Sequence, residues 1–304
     1  MNPVHHLPLS HLGLIRASGE DAPSLLQGQL SNDVRLLGEQ QGQLSSLNSP
    51  KGRMLAVLQL FLHEADIHLQ LDQRVLDDTL KRLRLFILRS RVTLEPAPLA
   101  GLGVYGAGAP DWLRTAGLPA PEAPFARAGA QGISLIRQPG DQPRYALWGT
   151  PERLAALPAC RAGTLNDWCL QDIACGLPTI LPETRDEFVP QMANLDLLGG
   201  ISFSKGCYTG QEIVARLHYL GQIKRRLFAC RAAGSPPLPG APLYAHGAPE
   251  PVGSVVQAAI CADGGCAFSA VLQLRALEGT PDLRLDTPEG PRVSVSAPTG
   301  APGA

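Results

Sequence analysis

The sequence predicts an α+β protein that ends in a small all-β domain. The chain has 304 residues, about twice the length of a typical domain, so we expect two or three domains with cores of their own. Strand-like and helix-like patterns alternate as far as Gly221, and short strand-like runs between proline and glycine turns follow it. These patterns predict an αβ domain over residues 1–96, a second αβ region over 97–222 and a β domain over 223–304.

The composition narrows the classes of function. Hydrophobic residues make up 44% of the chain, and no apolar run approaches the roughly 20 residues of a membrane span. The net charge of −1 gives no whole-molecule attraction to nucleic acid, so only local basic patches could bind phosphate. The odd number of cysteines, without close pairing, indicates a reducing compartment, and the first residues resemble neither an export signal nor a presequence. We therefore expect a cytoplasmic protein.

Hydrophobic periodicity and turn residues predict the elements of the first domain. In chain order they are a strand at Ser10–Ala17, a helix with Leu25, Leu26 and Leu30 on one face, strands at Gln43–Leu47, Met54–Leu62 and Ile67–Leu71, a helix through Val75–Ile87 and a strand from Val92. The middle strands form a meander.

The rest of the chain repeats this pattern and then becomes all-β. The predicted elements are short segments at Leu102–Tyr105 and Asp111–Thr115, strands at Ile133–Ile136 and Tyr145–Trp148, a helix after Pro151, a helix from the cap Thr164 through Cys175, and strands at Arg226–Cys230, Val252–Ala258, Cys266–Leu274 and Arg292–Val295. Between them, 176–198 reads as a long irregular loop, which is more often functional than idle. The β domain is predicted to be a sandwich or a barrel, and the last residues, 297–304, to fray.

The stretch Lys205–Glu212 contains the thiol with the clearest chemical potential. Thr209 followed by Glu212 predicts a capping box and hence a helix that starts at this point. Cys207 then lies just outside a helix N-terminus, where unpaired amides and the helix dipole favour a thiolate, and Lys205 adds a positive charge. The residues alone fit a reactive cysteine and a structural cysteine in a tight loop equally well.

Other chemistries find little support in the sequence. It has no His-Glu-x-x-His, Cys-x-x-Cys, Walker or dinucleotide-binding signature, and we predict no metal site. Cys261 and Cys266 read as a turn of the β domain, because no histidine pair accompanies them. Trp168 fits either a core position on its helix or a surface that stacks on a planar heterocycle.

Four segments together resemble the YgfZ family of folate-binding proteins, which are relatives of the glycine cleavage T-protein. The segments are Gln27–Val34, Ser49–Met54, Pro190–Asp196 and Gly199–Glu212. The last of them is very specific, and the resemblance covers nearly the whole chain.

This resemblance implies two αβ domains around a central channel that admits tetrahydrofolate, followed by a small barrel. It also implies a role in maintaining iron–sulfur enzymes and, through them, tRNA modification. The functional cysteine of the family maps onto Cys207. The residues expected to contact folate are Trp168, Asn194, Lys205, Gln211 and Asp33. T-proteins carry a catalytic aspartate in a segment that reads Lys51–Val57 here, without a carboxylate, so glycine cleavage is not expected.

Three functions remain open from the sequence. The leading hypothesis is a folate-dependent accessory factor in which Cys207 handles a sulfur atom, a cluster ligand or a transient disulfide with an iron–sulfur protein or assembly factor. The first alternative is a folate-dependent one-carbon transferase that acts on protein or RNA. The second is a tRNA-binding module whose phosphate patch consists of Arg216, His218, Lys224, Arg225 and Arg226.

Overall fold

The computed structural model describes residues 2–297 and divides the chain into two compact units. The first unit is assembled from Met1–Leu47, Ala56–Leu165 and Gly199–Thr209, and the second from Asn48–Leu55, Asn166–Leu198 and Gly210–Ala304. The α+β class is confirmed, whereas the division into 1–96, 97–222 and 223–304 stays a prediction. Of the residues 297–304 that were predicted to fray, 298–304 lie outside the described residues.

Over the described residues, the first unit contains two sheets and four α-helices, wholly or over most of their length. Its strands are β1 His5–Pro8, β2 Leu12–Ser18, β3 Gln43–Asn48, β4 Met54–His63, β5 Asp66–Asp72, β6 Thr93–Pro96, β7 Ala100–Tyr105, β8 Arg127–Ala130, β9 Ile133–Arg137, β10 Arg144–Gly149 and β11 Arg161–Ala162. Its helices are α1 Ala22–Gln27, α2 Leu76–Arg84, α3 Ala109–Thr115 and α4 Pro151–Ala155. One sheet has the order β3-β4-β5-β2-β6 and the other β11-β1-β7-β10-β9-β8.

Each sheet of the first unit has its own apolar core. In the five-stranded sheet the buried side chains of Ile15 and Leu69 pack with Leu26 of α1 and Leu83 of α2. A smaller cluster that includes Phe61 and Trp148 joins the two sheets, and the indole nitrogen of Trp148 donates to Oε1 of Gln70 at 2.9 Å. This bond satisfies the one polar atom of a buried tryptophan.

Some sequence predictions in this unit are incomplete or wrong. The strands β1 and β11, which pair in parallel, carry no alternating apolar pattern, and the sequence did not predict them. The helix α1 ends at Gln27, so Leu30 does not belong to it. Leu30 forms an isolated bridge with Leu47 and is fully buried. A residue can therefore lie at helical spacing and be buried without being helical.

Among the residues that the structure describes, the second unit contains two α-helices and a closed barrel. The helices are α5 Leu165–Cys175, which begins at the border of the unit, and α6 Gln211–Tyr219; the strands are β12 Arg225–Ala232, β13 Pro242–Ala245, β14 Pro251–Ile260, β15 Cys266–Gln273, β16 Leu283–Leu285 and β17 Arg292–Ser296. They close in the order β12-β15-β14-β13-β16-β17, so the predicted β domain is a barrel rather than a sandwich.

The segment 176–198, which follows α5, is irregular, as predicted. It forms only short 3-10 turns, at Pro182–Thr184 and Pro190–Ala193. The turn predicted at Cys261 is also present, because its amide donates to the carbonyl of Gly265 at 2.8 Å. Within residues 2–297 no helix has the length and apolar character needed to cross a membrane.

Candidate functional site around Cys207

The segment Gly199–Thr209, which we call the Cys207 loop, lies on a turn formed by residues 27–32 of the same unit. Oγ of Ser31 donates to the carbonyl of Gly200 at 2.7 Å, and the amide of Ser202 donates to the carbonyl of Ser31 at 3.0 Å. Nδ2 of Asn32 donates to the carbonyl of Gly199 at 2.8 Å. Two of the four segments recognised in the sequence thus form a single piece of structure.

The turn under the loop is itself held by buried polar side chains. Oγ of Ser31 accepts from the amide of Ser46 at 2.8 Å, and Nδ2 of Asn32 also donates to the carbonyl of Leu44 at 2.8 Å. Both side chains are therefore bound to β3 on one side and to the Cys207 loop on the other. Buried polar groups satisfied in this way favour one arrangement of the backbone.

Lys205 reaches furthest into the turn. Its Nζ donates to the carbonyl oxygens of Gln27 at 2.7 Å, Leu30 at 2.6 Å and Asn32 at 2.9 Å. The side chain is buried, and Nζ lies 4.9 Å from the ring centre of Tyr208. The positive charge predicted beside Cys207 is present, but it is directed into the protein and holds the backbone.

Cys207 itself is exposed, between the buried side chains of Lys205 and Tyr208. All seven cysteines lie within the described residues, and the other six are buried or partly buried. Burial raises the pKa of the Cys230 thiol to about 12, which is typical of an inert core cysteine. Cys207 is thus the thiol that a partner molecule can reach.

The predicted capping box is wrong. The N-cap of α6 is Gly210, and Thr209 instead donates from Oγ1 to Oε1 of Gln29 at 3.0 Å. Glu212 pairs with Arg216 one turn further along the helix. Since α6 begins at Gln211, Cys207 lies four positions before its first residue and does not occupy the cap.

A glycine caps α6 because the chain is crowded there. Gly210 has φ 80°, and a Cβ atom built on it would lie 2.5 Å from the carbonyl oxygen of Ser49. Gly52, with φ 71°, faces the same contact, since its Cβ would lie 2.7 Å from Cβ of Ile213. The loop 49–53 thus packs on the start of α6 through two glycines, and a side chain at either position would strain the backbone or force the loop to shift.

The residues predicted to contact folate are divided between the two units. Asp33 and Lys205 belong to the first, and Trp168, Asn194 and Gln211 to the second. Trp168 is only 3% exposed on α5, and Gln211, the first residue of α6, is half-buried. Their role in folate binding stays a prediction.

Asp33 and Asn194 are engaged by the protein. Asp33 caps the 3-10 turn Val34–Leu36 and accepts from Arg35 Nε at 2.9 Å and Nη2 at 2.6 Å. The Arg35 guanidinium lowers the pKa of this carboxyl to about 2. Asn194 has φ 60° and donates from Nδ2 to the carbonyl of Leu227 at 2.9 Å.

The predicted basic patch is smaller than the sequence suggests. Arg226 is half-buried, and its guanidinium makes two bonds to the carboxylate of Asp196, at 2.6 and 2.8 Å, and one to the carbonyl of Gln191 at 2.9 Å. Arg216 pairs with Glu212. His218 and Lys224 are exposed and Arg225 is half-buried. Arg226 thus stabilises the Pro190–Asp196 segment on the barrel.

The sequence did not predict which side chains hold the Cys207 loop by hydrogen bonds. They are Gln29, Ser31 and Asn32, whose side chains contact the loop directly. Their motif, Gln27–Val34, was recognised in the sequence, and its neutral polar side chains among buried leucines were the available signal. Within the part of the chain that the structure describes, no cluster of three or more histidine, cysteine or acidic side chains is arranged to hold a metal ion.

Comparison with solved structures defines the fold. The chain resembles the glycine cleavage system aminomethyltransferase T from Bartonella henselae with a TM-score of 0.75, over 98% of this chain and 86% of that chain, at 15% identity. No family model matches the sequence. The fold is therefore that of the aminomethyltransferase T proteins, here with an exposed thiol on a fixed loop.

Curated relatives identify the family. The tRNA-modifying protein YgfZ of Edwardsiella ictaluri is 37% identical over 290 residues, which cover 88% of this chain and 86% of the relative. The protein of the same name from Colwellia psychrerythraea is 30% identical over 276 residues, which cover 88% and 84%. The chain belongs to the YgfZ family.

Proposed function

We propose that the protein supports tRNA modification in the cytoplasm, as an accessory factor for iron–sulfur enzymes, and that Cys207 is its functional thiol. The observation that carries the proposal is the exposed sulfur on a loop anchored by buried bonds to a second family motif. The names of the relatives, tRNA-modifying proteins, support the cellular role. A thiol that is accessible and lies on an anchored backbone suits a protein that reacts with a partner through its sulfur atom.

The chemistry available to such a thiol is exchange. The thiolate of Cys207 attacks one sulfur of a partner's disulfide or persulfide, a new S–S bond forms, and the other sulfur leaves as a thiolate or hydrosulfide. Electrons balance without an added oxidant or reductant. Tyr208 and Lys205 hold the backbone on both sides of the attacking atom.

Tetrahydrofolate is proposed as a bound ligand, and the resemblance to a folate-binding family supports it. The polar atoms of Lys205, Asn194 and Asp33 are engaged by the protein, so these three side chains fit a folate poorly as they are arranged. Trp168 on α5 and Gln211 at the start of α6 are proposed as contacts on the family resemblance alone, and no chemical step is assigned to the folate.

A titration with tetrahydrofolate tests this ligand. Trp168→Phe should weaken binding measured by calorimetry, whereas Trp112→Phe, in the first unit, should not. Equal affinity in the two variants would remove Trp168 from the site. Absence of binding to the unaltered protein would remove folate.

A one-carbon transferase is the less favoured alternative. Proton transfer to or from the reacting nitrogen needs a positioned acid or base. The segment Lys51–Val57 has no carboxylate that could act in this way.

Direct binding of tRNA is proposed through the exposed end of α6 and the segment after it. The basic residues at this surface are Lys224, which is exposed, Arg225, which is half-buried, and His218, which is exposed. Affinity that depends on phosphate contacts falls steeply with salt. Lys224→Gln should weaken tRNA binding and flatten its salt dependence, whereas Lys81→Gln, on α2, should change neither. Binding that does not respond to salt would contradict the proposal.

The main proposal is tested in a strain that lacks the protein. Activity of an iron–sulfur enzyme that depends on the protein should be restored by the unaltered chain and not by Cys207→Ser. Full restoration by the serine variant at equal abundance would overturn the role of the thiol.

A further inference from the structure

Lys205 is a buried ammonium whose hydrogen-bonding capacity is fully used. A lysine has three N–H donors, and all three point at backbone carbonyls, 2.6 to 2.9 Å away. One acceptor is the carbonyl of Gln27, the last residue of α1, which has no partner inside the helix. The side chain thus satisfies groups of the turn 27–32 that need a donor.

An ammonium in this position is costly unless it has a structural task. No carboxylate among residues 2–297 lies within ion-pair distance of Nζ, and Asp33 attracts it only at longer range. Burying a charge without a paired opposite charge is unfavourable. A neutral side chain would avoid the cost of burying the charge. We therefore take the three hydrogen bonds to the turn 27–32 as the structural task of the ammonium.

The Cys207 backbone lies between two anchors. On one side is the Lys205 ammonium, and on the other Thr209, whose amide donates to the carbonyl of Gly28 at 3.3 Å and whose hydroxyl donates to Gln29. Between them, Gly206 has no atom within 4 Å of the place where its Cβ would be. Without Lys205, the nearest of the described anchors before Cys207 would be Ser202, whose amide donates to the carbonyl of Ser31 at 3.0 Å.

We propose that Lys205 is the positioning residue of Cys207, because its ammonium fixes the Cys207 loop on the turn 27–32 and so presents the thiol from a rigid backbone. The inference rests on the proposed function only in taking Cys207 as the working thiol. The bonds themselves are independent of any partner.

The charge of Lys205 offers a second way to examine the anchor. Burial lowers the pKa of this lysine to about 8, opposed by Asp33 and assisted by Arg35. The remaining group that faces it is the ring of Tyr208, whose own pKa is raised by burial. Above the lysine pKa the amine keeps two hydrogens, so one of the three carbonyls loses its donor.

A nitroxide attached to Cys207 through a thioether reports the motion of the loop. Cys160 and Cys169, the two partly buried cysteines, are first replaced by serine so that the label reacts at Cys207. Spectra are recorded for the Lys205 protein, for Lys205→Met and for the matched control Lys224→Met, an exposed lysine. Thermal unfolding of each labelled protein is measured in parallel.

The proposal expects the correlation time of the label to fall about three-fold in Lys205→Met and to stay unchanged in Lys224→Met. In the Lys205 protein the label should also become more mobile between about pH 7 and about pH 9.5, and Lys205→Met should lack this transition. If Lys205→Met does not fold, the pH dependence of the label in the Lys205 protein tests the proposal by itself.

An unchanged spectrum in folded Lys205→Met, or a label whose motion does not respond to pH, would overturn the positioning role. These readouts involve no tRNA and no iron–sulfur enzyme. The inference can therefore fail while Cys207 remains essential in cells, and it can hold while Cys207 proves dispensable.

Discussion

Nζ of Lys205 lies 2.6 Å from the carbonyl oxygen of Leu30, although 175 positions separate the two residues in the chain. The bond joins the Gln27–Val34 motif to the motif that carries Cys207. Both motifs therefore form one piece of structure. A substitution in the first motif should change the reactivity of the Cys207 thiol in the second.

Ser31→Ala tests this coupling from the side of the turn. The variant removes the donor to the carbonyl of Gly200 and leaves the amide of Ser46 without its acceptor. We expect the free energy of unfolding to fall by about 1 to 3 kcal/mol. Alkylation of Cys207 at a fixed pH should also change in rate. Ser204→Ala, at an exposed position, should stay within about 0.5 kcal/mol, and equal effects of the two variants would contradict the account.

Replacement by alanine should destabilise the protein at one glycine of this motif and have little effect at another. Gly210 has a left-handed backbone and lies against the carbonyl of Ser49, so Gly210→Ala should cost about 2 to 4 kcal/mol of stability. Gly206 has open space around it, and Gly206→Ala should stay within about 0.5 kcal/mol. Chemical denaturation of both variants measures the difference. A Gly210→Ala protein as stable as the unaltered one would contradict the prediction and show that the loop 49–53 can move away from the start of α6.

The same glycine shows where sequence reasoning reached its limit. The pattern Thr209 to Glu212 predicted the correct helix within two residues but the wrong cap, because the contact with Ser49 comes from a segment far away in the chain. Local patterns report local competition for hydrogen bonds. They cannot report a backbone that arrives from elsewhere and requires φ above zero.

Arg226 should matter for stability more than Arg216, although both are arginines paired with one carboxylate. The pair of Arg226 with Asp196 is largely buried and has two bonds, so Arg226→Met should cost about 2 to 3 kcal/mol by leaving Asp196 uncompensated. The Arg216 pair with Glu212 is exposed, and Arg216→Met should cost less than about 0.5 kcal/mol. Urea denaturation of both variants decides, and equal costs would be inconsistent with the role given to Arg226.

Stability should fall on acidification because of a histidine in the first unit. Burial lowers the pKa of His68 to about 4 from 6.5, and its neighbours His63, Asp66 and Arg16 face the same ring. The unfolded chain takes up this proton as the pH falls through 6.5, whereas the folded protein does so only near 4. Stability is therefore complete above 6.5 and is lost between 6.5 and 4, by about 3 kcal/mol.

The variant His68→Phe should flatten this part of the pH dependence, since the ring already stacks on Phe61. Thermal unfolding over the same pH range measures it. His218→Phe, on the exposed end of α6, controls for the loss of a histidine. An unaltered acid transition in His68→Phe would exclude His68 as its cause.

The recognisable motifs located the site, but their residues differ in what they do. Cys207 was singled out from the sequence, and the structure exposes it as expected of a reacting thiol. Lys205, Asn194 and Asp33 were expected at the ligand, whereas each bonds to groups of its own unit. Sequence patterns show that a polar residue is needed at a position. The partner of that residue depends on which distant segment the fold brings to it.

The measurement that tests the account most directly is the content of thio-modified nucleosides in tRNA from a strain that lacks the protein. Mass spectrometry should find it restored by the unaltered chain and by Cys169→Ser, a partly buried cysteine outside the loop. Cys207→Ser, present at the same abundance and equally stable, should leave the tRNA under-modified. Full modification with Cys207→Ser would contradict the central claim that the sulfur of Cys207 is required for tRNA modification.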